Sequence, residues 1–278
     1  MPQVDGRARP WRDHCQVANG VLWRLRTGAP WRDLPERYGP WQTICERFAR
    51  WDADGTWARL LEHVRVCDDA VDRVEWTVSV DSTINRAHQH AAGARKKREA
   101  DGDELEGPGH PQARQALGRS RGGLTTKVHL AVDGRGLPLS IVLTPGNVND
   151  ATAFRRVLEG IRVPRAATGR PRTTPDRILG DKAYSSRAIL HLLRRRGIAT
   201  TIPERRDQAA NRRRRGALGG RPPAFNMAAY RDRNVVERCF ARLERFRAIA
   251  TRFDELADRY RAGVVLASLI LWLREPAR

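Results

Sequence analysis

The chain predicts an α/β protein in which a mixed sheet flanked by helices follows a small all-helical unit. Apolar residues recur at three- and four-residue spacing near the start, and after Glu75 the period changes to two. The elements that follow run strand, strand, strand, helix, strand, helix, strand, long helix. With 278 residues and 40% hydrophobic side chains, the chain can bury a sizeable core as one large domain or two ordinary ones.

Asp13 is placed to cap a first helix carrying Val17, Val21, Leu22 and Leu25, which Gly28 and Pro30 stop. A short helix and a Gly39-Pro40 turn lead to helices over 41–51 and from 56 to about 66. This unit, residues 1–75, has a helix-turn-helix character and could contact DNA. It could equally be a plain bundle with Trp23, Trp31, Trp41, Trp51 and Trp57 as its core, and helix spacing does not separate the two.

Residues 76–80, 124–132 and 137–143 read as strands, the last two joined by a hairpin turn at Asp133, Gly134, Arg135 and Gly136. A helix over 151–160, a strand over 177–180, a helix over 187–196 and a strand over 198–202 follow. The last third is a helical region over 234–273, broken near 254–258. Stretches near 86–123 and 205–223 carry almost no large apolar residues and read as mobile loops. This order is that of a ribonuclease-H-like catalytic domain over 76–278.

Composition excludes several classes. Cys15, Cys45, Cys67 and Cys239 form no C-x-x-C pair, so they read as small buried hydrophobes of a reducing compartment, not a zinc site or disulfide framework. The start of the chain has no apolar stretch to act as a signal peptide, and the longest apolar run, 262–273, is too short to span a bilayer. A cytoplasmic protein with no membrane partner is expected, with 262–273 as a buried helix. The net charge of +20 calls for a polyanion, and 48 of the 52 cations are arginines, whose planar fork suits phosphate.

Asp81 ends the first strand, Asp181 lies just past the strand over 177–180, and Glu237 falls in the first turn of the long helix. Two neighbouring strand ends and a helix can bring three carboxylates to one point, where divalent cations would offset their repulsion. Oxygen-only ligation suits Mg2+ or Mn2+, and two ions can activate a water and stabilise the leaving oxygen of a phosphodiester. Asp150 is a rival acid, but its place in VNDATAF is that of a helix N-cap. Tyr230, Arg233 and Glu237 share one face if the helix reaches back that far, which would set an arginine and a phenol beside the metal-binding acid.

These residues lie in strings that resemble insertion-sequence transposases of the DDE class, in the insertion-sequence-five group. The strings are LWRLRTGAPWRDLPERYGPWQT, RFARWDADGTW, VSVDST, TPGNVND, GDKAYSS and YRDRNVVERCFARL followed by RFRAIATRFDELA, and the resemblance covers nearly the whole chain. It implies an enzyme that binds terminal inverted repeats of double-stranded DNA, cuts there with magnesium and joins the freed ends to target DNA, as a homo-oligomer assembled on the nucleoid. Asp81, Asp181 and Glu237 become its metal-binding triad, and Tyr230 and Arg233 its phosphate contacts. Lys182 adds a cation beside the second acid. The family's signature ends in a lysine that here is Glu244, for which Arg242 or Arg245 could substitute. Family members also carry a further helical segment before GRARPWRDH. These two departures support an alternative, a catalytically decayed or regulatory DNA-binding copy.

The charge is unevenly spread. Residues 1–75 hold 12 basic and 12 acidic side chains, whereas 155–221 hold 19 basic and 5 acidic, a net +14. The salt dependence of DNA binding should therefore follow 155–221. Removing residues 1–75 should barely change nonspecific binding at low salt, and a large loss would move the electrostatic contact to the helical unit.

Overall fold

Asp13 accepts the amide of Cys15 at 2.9 Å and opens α1 (His14–Thr27), which Gly28 closes in the left-handed region at φ 69°. The structure, a computed structural model, describes residues 13–93, 115–120 and 122–275. Two 3-10 turns, Trp31–Asp33 and Glu36–Tyr38, lead into α2 (Trp41–Ala53), and Gly55, also left-handed, turns the chain into α3 (Thr56–Asp69). Trp51 and Trp57 are buried and meet edge to face at 5.1 Å, with Phe48 beside them. Trp23, Trp31 and Trp41 pack against this core only partly buried.

The sheet strands are β1 (Thr77–Ala87), β2 (Gly118–Ser120), β3 (Gly123–Val132), β4 (Pro138–Pro145), β5 (Arg177–Gly180), β6 (Ala199–Thr201) and β7 (Thr251–Arg252). Their main spatial order is β4-β3-β1-β5-β6, with β4, β3 and β1 antiparallel in turn and β1, β5 and β6 parallel. That order and polarity define the ribonuclease-H-like sheet. β2 extends β3 at its start, and β7 pairs with Arg86 and Ala87 at the far end of β1. Helices α4 (Asp150–Glu159), α5 (Arg187–Arg195), α6 (Arg206–Arg214), α7 (Met227–Arg231), α8 (Asn234–Glu244), α9 (Arg247–Ala250) and α10 (Ala257–Arg274) complete the helices and strands among the described residues.

Five expectations need correction, in whole or in part. β1 does not stop at Val80 but runs on to Ala87, because β3 offers it partners as far as Arg86↔Thr125 and because Asn85, buried on that extension, bonds the Ile249 carbonyl and the Tyr260 hydroxyl. Asp81 is consequently inside a strand and not at its end. The stretch near 205–223 contains α6 and a 3-10 turn, Gly216–Gly219, instead of being a loop throughout. The stretch near 86–123 contributes the end of β1, a 3-10 turn at Gln89–Ala92 and β2, while 94–114 and 121 lie outside the described residues. The helical region over 234–273 does break ahead of Ala257, near the expected 254–258, but it is also split at Phe246 and by β7, where fully buried Arg252 is satisfied by Thr126 Oγ1 at 2.7 Å and the carbonyls of Asp254 and Glu255. Of the cysteines only Cys239 is buried, with Cys15 and Cys67 exposed on helix surfaces.

The helical unit does not close a core of its own. α3 lies along α10 and α1 against α9, and buried apolar side chains run without interruption from Val17 to Trp272. Arg24 reaches Asp254 with both Nη atoms, at 2.9 and 3.2 Å, and Arg65 donates to the Pro138 carbonyl at 2.8 Å. Removing residues 1–75 would bare the apolar face of α10, so the contribution of this unit to DNA binding is better tested by surface substitution. No helix among the described residues is long and apolar enough to cross a membrane.

Asp133 sits fully buried in the β3–β4 hairpin, its Oδ1 accepting the amides of Leu137 and Arg135 while its Oδ2 has no partner among the described residues. Burial pushes its carboxyl up to about 7. The unfolded chain releases this proton near pH 4, so stability falls as pH rises from about 4 to about 7, by at most about 1.4 kcal/mol per unit, and levels off above. Asp133→Asn keeps the Oδ1 acceptor and is expected to flatten that slope in urea titrations over this range. An unchanged slope assigns the titration to another group.

Candidate active site

The last parallel pair between β1 and β5 is Val80↔Gly180. The next residue on each strand is an acid, Asp81 and Asp181, so the register sets the two carboxylates side by side. Past this point β5 has ended and β7 does not join β1 until Arg86, which leaves an opening along that edge of β1. Openings at the carboxyl ends of parallel strands are where such sheets bind ligands.

Asp81 accepts the Ser82 amide on Oδ1 at 2.8 Å and Arg233 Nη1 on Oδ2 at 2.7 Å. Burial raises its pKa above the usual carboxylate range. Asp181 adds to the rise, and the Ser82 amide and Arg233 offset only part of it. Asp181 turns one oxygen to the Ala183 amide at 2.8 Å, capping the 3-10 turn Lys182–Tyr184. Glu237 stands in the first turn of α8, half-exposed, where a negative charge is favoured by the helix dipole. It takes the second Nη of Arg233. One guanidinium therefore joins the acid of β1 to the acid of α8.

The three acids do not form the closed cluster expected from their elements. Among the described residues no group of three or more His, Cys, Asp or Glu side chains is placed to hold a metal ion. The physical reason is Arg233, whose fork lies between Asp81 and Glu237 and supplies the countercharge. The donor set is nonetheless all carboxylate oxygen, and the guanidinium shows that Asp81 and Glu237 can face a shared cation. These donors fit a hard divalent ion once the guanidinium is drawn to another anion.

The remaining residues are spread around this centre. The helix does not reach back unbroken from Glu237: α7 ends at Arg231, and a turn at Asp232 and Arg233 precedes α8. Tyr230 lies across that turn, 5.2 Å from the Phe225 ring, with the Arg233 guanidinium 5.8 Å from its own ring. Lys182 is exposed directly after Asp181. Arg242 is drawn away to Glu275 at 2.9 Å, whereas Arg245 and Glu244 are exposed at the end of α8.

A second row of polar residues backs the acids, and of these only Asp150 was singled out from the sequence. Asp150 is not the N-cap of α4. Asn149 is, accepting the Ala151 amide at 2.9 Å from extended backbone, and Asp150 as the first helical residue turns inward. Its Oδ1 accepts Ser82 Oγ and Lys127 Nζ, both at 2.8 Å, and Lys127 also donates to the Val148 carbonyl at 2.7 Å. Burial works against ionisation of Asp150, but the bonds from Lys127 and Ser82 outweigh it and hold the carboxyl below its usual range. Burial pushes neighbouring His129 down to about 4, so this histidine is neutral. The Tyr184 hydroxyl is also buried here, kept protonated by burial and then by Asp81, Asp150 and Asp181. Ser82, Asp150 and Tyr184 lie in the strings VSVDST, TPGNVND and GDKAYSS, which was the available signal.

A family model described as "Transposase DDE domain" matches residues 72–272, and one described as "Putative transposase of IS4/5 family" matches residues 1–61. A Burkholderia cepacia protein named "Putative transposase for insertion sequence element IS402" is 34% identical over 148 residues, which are 53% of this chain and 63% of that protein. The chain thus spans somewhat less than two thirds of this relative. A Brucella ovis protein named "Putative transposase for insertion sequence element IS6501" is 30% identical over 151 residues, 54% of this chain and 100% of that protein. Among solved structures, the "Mos1 transposase paired-end complex with left transposon end" is similar at 14% identity and a TM-score of 0.25, over 87% of this chain and 81% of that one. Because the domain match runs through β1, β5 and α8, the elements carrying Asp81, Asp181 and Glu237, and because the Brucella relative is covered in full, the chain belongs to the family of DDE-domain transposases.

Proposed function

We propose that the protein is a metal-dependent DNA transposase that binds the terminal inverted repeats of its own insertion sequence, cleaves there, and joins the freed ends to target DNA. The observation that carries this reading is the Arg233 fork spanning Asp81 and Glu237 beside Asp181, at the open edge of β1. A phosphodiester entering this opening offers the guanidinium a second anion, and a bidentate arginine–phosphate pair is a strong one. Arg233 then holds the phosphate and releases the oxygens of Asp81 and Glu237. Asp81, Asp181 and Glu237 would hold Mg2+ or Mn2+, in two positions, whose chemistry when bound is activation of the attacking oxygen and stabilisation of the leaving one.

Water attacks the phosphorus first and the bond to the 3' oxygen breaks, leaving a 3'-hydroxyl and a 5'-phosphate. The 3'-hydroxyl next attacks a target phosphodiester, so one bond forms for each that breaks. Tyr230 and Lys182 flank the site from α7 and from the turn after Asp181, positioned to add contacts to the phosphate backbone. With Arg242 committed to Glu275, Arg245 is the cation left to take the place of the signature lysine. The helical unit supplies contacts to the repeat, the active assembly is a homo-oligomer on DNA, and the protein works on the nucleoid in the cytoplasm. A decayed or regulatory copy is the second reading, favoured by Glu244, exposed on the helix of Glu237 where it repels phosphate.

Asp81→Ala, Asp181→Ala and Glu237→Ala are each expected to reduce metal-dependent nicking of a repeat-ended duplex to background while gel-shift binding stays largely intact. Full nicking by any one of them removes that residue from the mechanism. Glu244→Lys is expected to tighten binding of the same duplex at fixed salt. If it also restores excision that the natural chain lacks, the decayed reading replaces the active one.

A further inference from the structure

α6 is an unusual helix for a folded domain. It buries none of its residues, and three arginines, Arg212, Arg213 and Arg214, crowd its last turn, followed by Arg215. A helix polar on every side has no packing reason to dock. It is instead held by two polar clasps. Gln208 accepts Ser185 Oγ at 2.9 Å and donates to the Ser185 carbonyl at 3.1 Å, and Arg212 grips Glu204 through Nε and Nη2 at 3.2 and 2.9 Å. The same hydroxyl lies 2.7 Å from the Lys182 carbonyl and shares its one proton between the two acceptors, so the helix is pinned to the turn that Asp181 caps.

Docked in this way, α6 walls a groove of about 640 Å³ against α5. Five arginines line it, Arg187, Arg194, Arg212, Arg215 and Arg221, against one acid, Glu204. Glu204 is already paired with Arg212, whereas Arg194, Arg215 and Arg221 are exposed and have no ion pair among the described residues. Like charges held this close raise the energy of the protein alone, and a row of phosphates relieves it.

We infer that the groove between α5 and α6 is a sequence-independent seat for the backbone of duplex DNA, pinned through Gln208 to the Asp181 turn so that the DNA it grips passes the carboxylates. The inference rests on the reading of the protein as a DNA-acting enzyme and adds a second contact region to it, separate from Arg233 and Tyr230. Its ligand chemistry is a run of phosphodiesters, and the partner is double-stranded DNA of any sequence.

The test measures binding of the full chain to a random-sequence duplex by fluorescence anisotropy, in chelator without divalent metal, between about 50 and 200 mM salt. Replacing Arg194, Arg215 and Arg221 together by Ala is expected to lower the magnitude of the log–log salt slope by about 2 to 3, as each lost phosphate contact removes roughly 0.9. The same three changed to Lys should keep the slope, which separates lost charge from lost packing. Replacing Arg26, Arg32 and Arg37 of the helical unit by Ala should leave it nearly unchanged. An unaltered slope in the groove variant, an equal loss in the Lys variant or in the helical control, or tighter binding of duplex RNA than of DNA each overturns the inference. Since the assay contains neither metal nor repeat sequence, failure of the natural chain to cleave repeat-ended DNA strikes the proposed function and leaves the groove standing. An unaltered slope in a protein that does cleave strikes the groove alone.

Discussion

Parallel pairing of β1 with β5 places two carboxylates on neighbouring strands, one step beyond Val80↔Gly180, and the surrounding architecture answers that electrostatic problem. Asp81 is largely desolvated and faces a like charge, a combination that disfavours ionisation unless a cation or hydrogen-bond donors intervene. The chain supplies the Ser82 amide, the Ala183 amide and the fork of Arg233. Behind them, Lys127 and Ser82 hold a third acid, Asp150. Every carboxylate thus has a donor or countercharge, with Ser82 shared by Asp81 and Asp150 and Arg233 by Asp81 and Glu237, and the opening left where β5 ends is the place at which a substrate can compete for those ties.

The position of α8 matters as much as the sheet register. Val235, Val236, Cys239, Phe240 and Leu243 bury one face of this helix, which leaves Glu237 on the exposed face toward the opening. The helix is steadied from behind by α10, whose side chains from Ala262 to Trp272 are almost all buried, and α10 is in turn covered by α3. The N-terminal helices are therefore part of the support of the half that carries the acids. Arg24 on α1, paired with Asp254 ahead of α10, fastens the same junction. A residue can therefore influence the site from the helical unit without touching DNA.

The positive charge has an equally specific placement. The part of the chain richest in arginine contains the helix least supported by packing, and that helix is clasped to the turn of Asp181. A strongly basic segment that buries nothing is ordinarily a tail. Here two short polar contacts convert it into one wall of a groove beside the acids.

How much of this was legible in the sequence depends on the range of the interaction involved. Periodicity located α1 to α3, the β3–β4 hairpin, β5, α5 and the buried C-terminal helix, because each is set by a local pattern of apolar side chains and by Gly, Pro or Asp at its ends. Asp81, Asp181 and Glu237 stood out by their places at two strand ends and a helix start, and their family came from short strings around them. Tertiary structure decided what those strings could not express: the extension of β1 through Asn85 toward Tyr260, the burial of Arg252 that splits the last helical region, and the choice of Asn149 over Asp150 as the cap. It also decided that Arg233 stands between Asp81 and Glu237, a contact between residues 152 positions apart in the chain. Local pattern determines which element forms and which face it buries, but the cation that a carboxylate meets is fixed only when distant elements pack, since charge pairing acts through space and leaves no period in the sequence.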